Sequence, residues 1–424
     1  MRVPADLLTI GFGTTVAMWG IGYLARLPVV QAPASIVLVL LLVTLVAGGV
    51  LAGRLPGRGV TGGAAAGAIS GLLNLLVLGS FLSQHETPNA LLPSAALWAP
   101  GSIAASALLG AAGAWVGSRG ASRREIDGTH GFARVAVAAT FLLLIAGGLV
   151  TSNRAGLAVV DWPNSYGYNM FLYPFARMTG GIYLEHAHRL LGALVGLTTL
   201  TLAILLALTE PRGWVKKLGL AAVVLVMIQG ALGGLRVTGK PTLSSDPAFT
   251  EPNVYLAVVH GVMAPIFFSV VVTLAIVTSR AWKERKAAAG SGERTLATVA
   301  LVLVVVQIAF GAIQRHLAQG LMLHVAMAFL VAGNTIACGA RAWGLHGEDP
   351  VLRRAGLAVV HATVLQFALG IAAWIVKGAA ETGALSEAWR IVITTAHQGT
   401  GAILLACVVA LRLYLERPGA PRSV

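Results

Sequence analysis

The segment YLEHAHRLLG, residues 183–192, places Glu185, His186, His188 and Arg189 within five consecutive positions, and from Leu190 the chain runs on as LLGALVGLTTLTLAILLALT. A carboxylate and two imidazoles at the start of a lipid-soluble helix are costly, and ionisable residues in such a place are kept for chemistry or binding. Three further histidines stand at comparable places: His260, His324 and His397 follow His188 at intervals of 72, 64 and 73 residues. Taken two apart, the intervals are 136 and 137, which describes a helix-pair unit used four times or a four-helix unit used twice. The apolar runs before them share a second mark: QGALG at 229–233, QIAFG at 307–311 and QFALG at 366–370. The run before His188 lacks the glutamine but carries GGLVT at 147–151, an echo of GGLRVT at 233–238.

A lone histidine in a membrane helix is more often a hydrogen-bonded packing residue than a ligand, but four in register ask for another account. Two imidazoles from facing helices of a four-helix bundle can supply both axial ligands of a haem iron, and the four histidines make two such pairs. Zinc wants three or four ligands converging at one point, which two equivalent pairs do not offer. Glu185 and His188, three residues apart, share a helix face, so the carboxylate stands a turn from the ligand position, towards the porphyrin edge. Arg189 is read as facing another way, towards a haem propionate or a loop carboxylate such as Asp161, with snorkelling to the headgroups an equal alternative. His186 is rotated away from His188 and is not given the iron. His85, His130, His316 and His346 fall in loops or at helix ends and read as solvated surface, and His361 lies early in the eleventh apolar run.

The elements that must position these residues are membrane spans. Of 424 residues 57% are hydrophobic and only 11% charged, with a mean hydropathy of +0.81, far from the composition of a soluble domain. Apolar runs long enough to cross a bilayer recur twelve times, at about 7–26, 34–53, 61–83, 93–117, 132–152, 187–208, 217–237, 254–279, 295–314, 320–340, 355–376 and 391–414. In lipid these must be helices, so the fold class is an all-α polytopic membrane protein, and the first run reads as a retained helix, not a signal peptide. Basic residues alternate between the connections: twenty on one side, among them Arg54, Arg58, Arg212 and Arg280, against eight on the other, such as Arg26, Arg154, Arg315 and Arg390. The positive-inside rule then puts both termini in the cytoplasm, in a cell inner or plasma membrane. The net charge of +14 is dispersed over these connections and makes no groove for nucleic acid. Cys338 and Cys407 lie in apolar stretches without metal-ligand spacing and read as core residues.

Three parts are expected: residues 1–125, four helices with almost no ionisable residues inside them; 126–279, a first four-helix bundle; and 280–424, a second. The longest connection on the outer side, about 153–186, carries Trp162, Tyr166, Tyr168, Phe171, Tyr173 and Phe175, and suits an interfacial segment that could roof a binding site.

GGLVTSNRAGLAVVDWPNSYGYNMFLYP followed by GGIYLEHAHRLLGALVG closely resembles haem A synthase, and IQGALGG, His260, His324 and AHQGTGA at 396–402 fall where that family's pattern expects them. The resemblance covers about residues 130–415 and rests most on the ExxHR element and the GLAxxDWP loop. It implies two pseudo-symmetric four-helix bundles and oxidation of a methyl group of haem O to the formyl group of haem A, by successive water-derived hydroxylations, for cytochrome oxidase biogenesis. It implies His188 and His260 as ligands at the substrate haem site, His324 and His397 as ligands of a haem b cofactor, and Glu185 as the catalytic carboxylate. Electrons would leave through the second haem to quinone or another acceptor, and a haem O synthase is an expected partner. Two departures stand out. The cysteine pair many members carry in the outer loops of the first bundle is missing, and the four N-terminal helices are additional, without the aspartate-rich motifs of a prenyltransferase.

Two other readings compete. A di-haem cytochrome b carrier explains the four histidines but leaves Glu185 without a task. A transporter predicts a six-plus-six repeat and charges near mid-membrane, whereas this repeat is four-plus-four behind a four-helix leader.

Overall fold

The computed structural model describes residues 5–84, 87–120, 125–242, 244, 246–284 and 290–416. His85 and the basic residues Arg2, Arg123, Arg124, Arg285, Lys286, Arg417 and Arg422 lie outside them. The described residues form thirteen helices and no strand: α1 (Ala5–Ala25), α2 (Ala34–Gly53), α3 (Gly59–Leu82), α4 (Ala95–Ser118), α5 (Gly128–Ser152), α6 (Gly180–Thr209), α7 (Gly213–Thr238), α8 (Val254–Thr278), the short α9 (Arg280–Lys283), α10 (Ser291–Leu317), α11 (Leu321–Leu345), α12 (Pro350–Glu381) and α13 (Glu387–Glu416). All but α9 are long and apolar enough to cross a membrane, and the chain is a multi-pass membrane protein. The outward faces agree: Ile36, Leu38, Val39, Leu42 and Val43 of α2 are exposed together, an apolar stripe that only lipid or another apolar surface can cover.

The helices overrun the apolar runs where polar residues find partners. α6 begins at Gly180, about two turns before the run that starts near 187, because the polar residues of EHAHR are satisfied by the segment that precedes it. His188 and His397 therefore sit in the third turns of α6 and α13, while His260 and His324 lie in the first two turns of α8 and α11. Helix starts follow local chemistry. Asn253 caps α8 by accepting from the N–H groups of Tyr255 and Leu256, and Asp349 does the same for Val351 and Leu352, with Pro350 opening α12.

Contacts divide the chain into two compact units. One comprises Met1–Val150, Arg154–Val226 and Val237–Glu251; the other Thr151–Asn153, Met227–Arg236 and Pro252–Val424. In the first unit α2, α3 and α4 approach through small residues. A Cβ on Gly49 would stand 2.2 Å from the Gly110 carbonyl oxygen, and one on Gly53 equally close to that of Ala114. Backbones this close gain dispersion contacts where lipid offers no hydrophobic drive. α1 is tied to α3 by polar pairs: Arg58 forks onto Asp6 at 2.8 Å through two nitrogens, Thr15 Oγ1 donates to Ser70 at 3.0 Å, and Trp19 Nε1 donates to Asn74 at 2.9 Å. In the second unit α10–α13 form a ring in which each helix packs on its sequence neighbour and α13 closes onto α10, with α8 against α10 and α13. Cys338 and Cys407 are free thiols of this unit, buried and half-buried.

A leucine at Gly49 forces the α2 and α4 backbones apart and is expected to cost about 1–3 kcal/mol, read as a lower unfolding midpoint in mixed detergent micelles. The same change at Gly22, where nothing lies within 4 Å, should leave the midpoint in place. Equal losses at both positions would refute the close-packed seam.

Candidate functional site

The EHAHR element is buried under the segment that precedes it, and Arg189 is the residue that joins them. Its Nη1 donates to the backbone carbonyls of Asp161 at 2.7 Å and Asn164 at 2.9 Å; its Nη2 donates to Val159 O at 3.0 Å and to Glu185 Oε1 at 2.9 Å. The other oxygen of Glu185 accepts the Val159 N–H at 2.9 Å. Glu185 and Arg189, i and i+4 on α6, thus form an ion pair with both side chains under one tenth exposed. This corrects two expectations. Arg189 shares the Glu185 side of the helix, as i,i+4 spacing requires, and its loop partner is the backbone of Asp161, not its carboxylate.

That carboxylate has a different task. Residues 165–168 make a two-residue hairpin in which Ser165 and Tyr168 exchange backbone hydrogen bonds of 2.8 and 3.1 Å, with Tyr166 (φ 51°) and Gly167 (φ 79°) both left-handed. Two positive φ angles in sequence define the turn type that favours glycine at its second position. The Asp161 carboxylate, 1% exposed, accepts the N–H of Tyr166 at 2.7 Å and of Gly167 at 2.8 Å, satisfying both turn donors. His186 belongs to the same assembly. It is fully buried, with Nδ1 3.0 Å from Ser165 Oγ and its ring 5.0 Å from that of Tyr173. It is a tie between α6 and the segment. Burial pushes the Tyr166 and Tyr173 phenols above their usual range, with the Glu185 charge adding to the effect at Tyr166. Tyr166 uses its hydroxyl to donate to Ala158 O.

The four repeated histidines share one local geometry, each lying against a glycine of the helix before it. A Cβ on Gly147 would stand 3.0 Å from His188 Cε1, and Cβ atoms on Gly233, Gly311 and Gly370 would each stand 3.1 Å from Cε1 of His260, His324 and His397. In every case Cε1 is the nearest atom and the two ring nitrogens are next, so the four rings lie on their glycines in the same way. The glycine that ends each Q-x-x-x-G motif is therefore a seat for an imidazole, and the first glycine of GGLVT is its counterpart before His188. The glutamines hold the same histidines by the main chain: Gln229 Nε2 donates to His260 O at 3.1 Å and Gln307 Nε2 to His324 O at 2.9 Å. Gln366 Nε2 instead lies 3.5 Å from His397 Nε2. Nδ1 of His260, His324 and His397 is buried without a hydrogen bond of ordinary geometry.

In the second unit α11 and α13, opposite one another in the ring of four, bring His324 and His397 together edge to face, with ring centroids 6.4 Å apart and planes at 88°. An imidazole nitrogen binds a metal at about 2 Å and lies about 1.1 Å from its ring centre, so an ion held in line between two such rings sets the centroids about 6.2 Å apart. Among the described residues no three or more His, Cys, Asp or Glu side chains stand together as a metal site. The pair offers two imidazoles and leaves the remaining coordination positions to something else.

Two histidines read as solvated surface are not. His346 Nε2 lies 2.9 Å from Glu293 Oε1, and His316 is half-buried against Gly261 of α8. Both contacts join residues far apart in sequence, and nothing in periodicity marks them. His361 is exposed, its Nδ1 2.9 Å from Leu357 O.

Residues 167–327 match the family model COX15-CtaA, described as a cytochrome oxidase assembly protein. The match takes in Glu185, His188, His260 and His324 and stops short of His397, and it supports a role in cytochrome oxidase assembly. No curated protein matches the chain.

Replacing Arg189 by alanine leaves the Glu185 carboxylate buried and unpaired, an expected loss of about 3–5 kcal/mol in detergent unfolding. Adding Glu185→Gln removes the stranded charge and should return about 1–3 kcal/mol of that loss. Additive losses in the double variant would mean that the two side chains are not coupled.

Proposed function

We propose, from the match of residues 167–327 to cytochrome oxidase assembly proteins, that the chain is a haem A synthase: a membrane oxidoreductase that converts a methyl group of haem O into a formyl group. The observation that carries the reading is the repeated seat, four glycine-backed imidazoles, together with a buried carboxylate one turn from the first of them. The balance of the reaction is R–CH3 + H2O → R–CHO + 4 e⁻ + 4 H⁺, so the protein must accept protons near the methyl group and pass four electrons to an acceptor such as a quinone.

The parts are assigned as follows. Residues 126–279 would form the substrate region, with His188 and His260 as ligands of haem O, and residues 280–424 the cofactor region, with His324 and His397 as ligands of haem b. The 6.4 Å centroid spacing of the latter two leaves room for a metal ion that both imidazoles would hold, and with their Nδ1 atoms buried Nε2 would be the nitrogen each offers. When bound, haem b supplies one-electron redox chemistry. The glycine seats fix each ring's depth and tilt, and the glutamines at 229 and 307 fix the backbone that carries it. Glu185, paired with Arg189, presents an acceptor oxygen and is the group proposed to take protons as the methyl carbon is oxidised. The segment over α6 keeps that carboxylate away from bulk water.

A carrier of electrons with two haems and no reaction on either would share the seats. It would have no use for a buried carboxylate held by a dedicated arginine and a backbone N–H, and that observation favours the enzyme.

Glu185→Gln is expected to keep the haem content of the purified protein and to lower haem A formation at least about a hundredfold. The host is one that makes haem O but no haem A, and the extracted pigment is identified by chromatography and its pyridine adduct spectrum. Haem A at the wild-type level in this variant would remove Glu185 from the reaction. His324→Ala should lose one haem per chain, and an unchanged haem-to-protein ratio would break the assignment of the His324–His397 pair.

A further inference from the structure

The four N-terminal helices hold none of the repeated histidines, yet they grip the segment that covers Glu185. Asn89, in the connection between α3 and α4, accepts the Asn169 N–H at 2.6 Å while adopting a left-handed backbone (φ 65°) that asparagine tolerates. The end of α3 meets the backbone at Phe171. Ser80 Oγ donates to its carbonyl at 3.4 Å, and a Cβ on Gly79 would stand 2.5 Å from the same oxygen. Phe81 stacks on Phe175 with centroids 4.1 Å apart, and the Arg26 guanidinium lies 5.1 Å from the Phe175 ring. At the first turn of α6, the Tyr183 hydroxyl donates to Tyr23 O at 2.8 Å.

All these contacts fall on residues 169–183, and the route from there to the carboxylate is short. Tyr173 packs on His186 and at 5.7 Å on Tyr168, which closes the hairpin that Asp161 caps. The carbonyls of Val159, Asp161 and Asn164, in the stretch leading into that hairpin, hold Arg189. The gripping helices are themselves fixed, since α1 is bound to α3 through the Asp6–Arg58, Thr15–Ser70 and Trp19–Asn74 pairs.

The geometry points to a positioning function for the N-terminal region: α1, α3 and the α3–α4 connection hold residues 169–183, and so keep the covering segment in register with Glu185 and Arg189. The grip stands on these contacts alone, and its consequence for the reaction rests on the proposed function. Three of the contacts are hydrogen bonds, polar and directional where lipid-facing packing alone would need none. They also converge on one short stretch of chain.

The test uses the full chain in nanodiscs, comparing Asn89→Gly, Phe81→Ala and Phe81→Tyr with wild type. Asn89 is exposed, and glycine keeps its left-handed backbone, so this variant probes the grip with the fold intact. Amide hydrogen exchange over residues 158–178 is expected to rise about tenfold in Asn89→Gly and Phe81→Ala, with exchange in α10–α13 unchanged. In the same preparations haem A per chain should fall about tenfold, at wild-type haem b content. Phe81→Tyr preserves the stack and should retain wild-type values. Unaltered exchange in the folded variants would overturn the grip. Faster exchange with haem A formation unchanged would overturn the positioning function. A wild-type chain that forms no haem A would remove the synthase reading, and the exchange comparison would still decide whether the grip exists.

Discussion

A guanidinium taken out of water keeps its charge and must find acceptors for its N–H groups. At Arg189 that requirement organises everything around the site. One acceptor is a carboxylate a turn away on the same helix; the others are three backbone carbonyls from a segment that precedes the helix. Helix α6 can therefore begin as early as Gly180 only because the segment folds back over it, and the segment can fold back only because its carbonyls are satisfied there. The Asp161-capped hairpin and the His186 contacts complete the same exchange of donors and acceptors. In a low-dielectric setting, a network of this kind rigidifies when every member is satisfied.

The glycine seats express a second constraint, that of volume. An imidazole projecting between membrane helices needs room at the helix it meets, and in all four repeats that room comes from deleting a side chain on the preceding helix. The recurrence of one geometry at four places with unlike flanking residues (GGLVT, QGALG, QIAFG, QFALG) marks the seat, more than the surrounding sequence, as what the repeat preserves. Glutamine plays a supporting part at two of the seats by holding the histidine's carbonyl, and at the fourth it turns to the ring instead. The four seats are alike in how the ring meets its glycine and unlike in these polar details.

The spans were legible because lipid imposes a length and an apolar composition that few other constraints imitate. The histidine register was legible for the same reason: polar residues are so rare within spans that their spacing carries information. What stayed hidden depended on contacts between distant parts of the chain. Periodicity cannot show that Asp161 would spend its carboxylate on two turn N–H groups, that His346 would meet Glu293 across 53 residues, or that Tyr23 and Asn89 would reach the covering segment. The placement of Arg189 is a different case. Its i,i+4 relation to Glu185 is contained in the numbering alone. The glycine of each Q-x-x-x-G motif was visible as a pattern, but its use as a seat needs the neighbouring helix in place.

These arrangements bear on how one carboxylate can hold the structure and also take part in the proton transfer proposed for it. If Glu185 were the only acceptor for Arg189, taking up a proton would strand a buried cation, and the site would resist the change it is proposed to undergo. The three carbonyls at Val159, Asp161 and Asn164 do not titrate, and they keep Arg189 partnered whichever form Glu185 adopts. The Val159 N–H, bonded to the second carboxylate oxygen, can remain so with a neutral acid, because a protonated carboxyl still has acceptor capacity. The covering segment thus makes the carboxylate replaceable in the arginine's shell, which is the condition for it to change protonation state without loosening the structure that holds it.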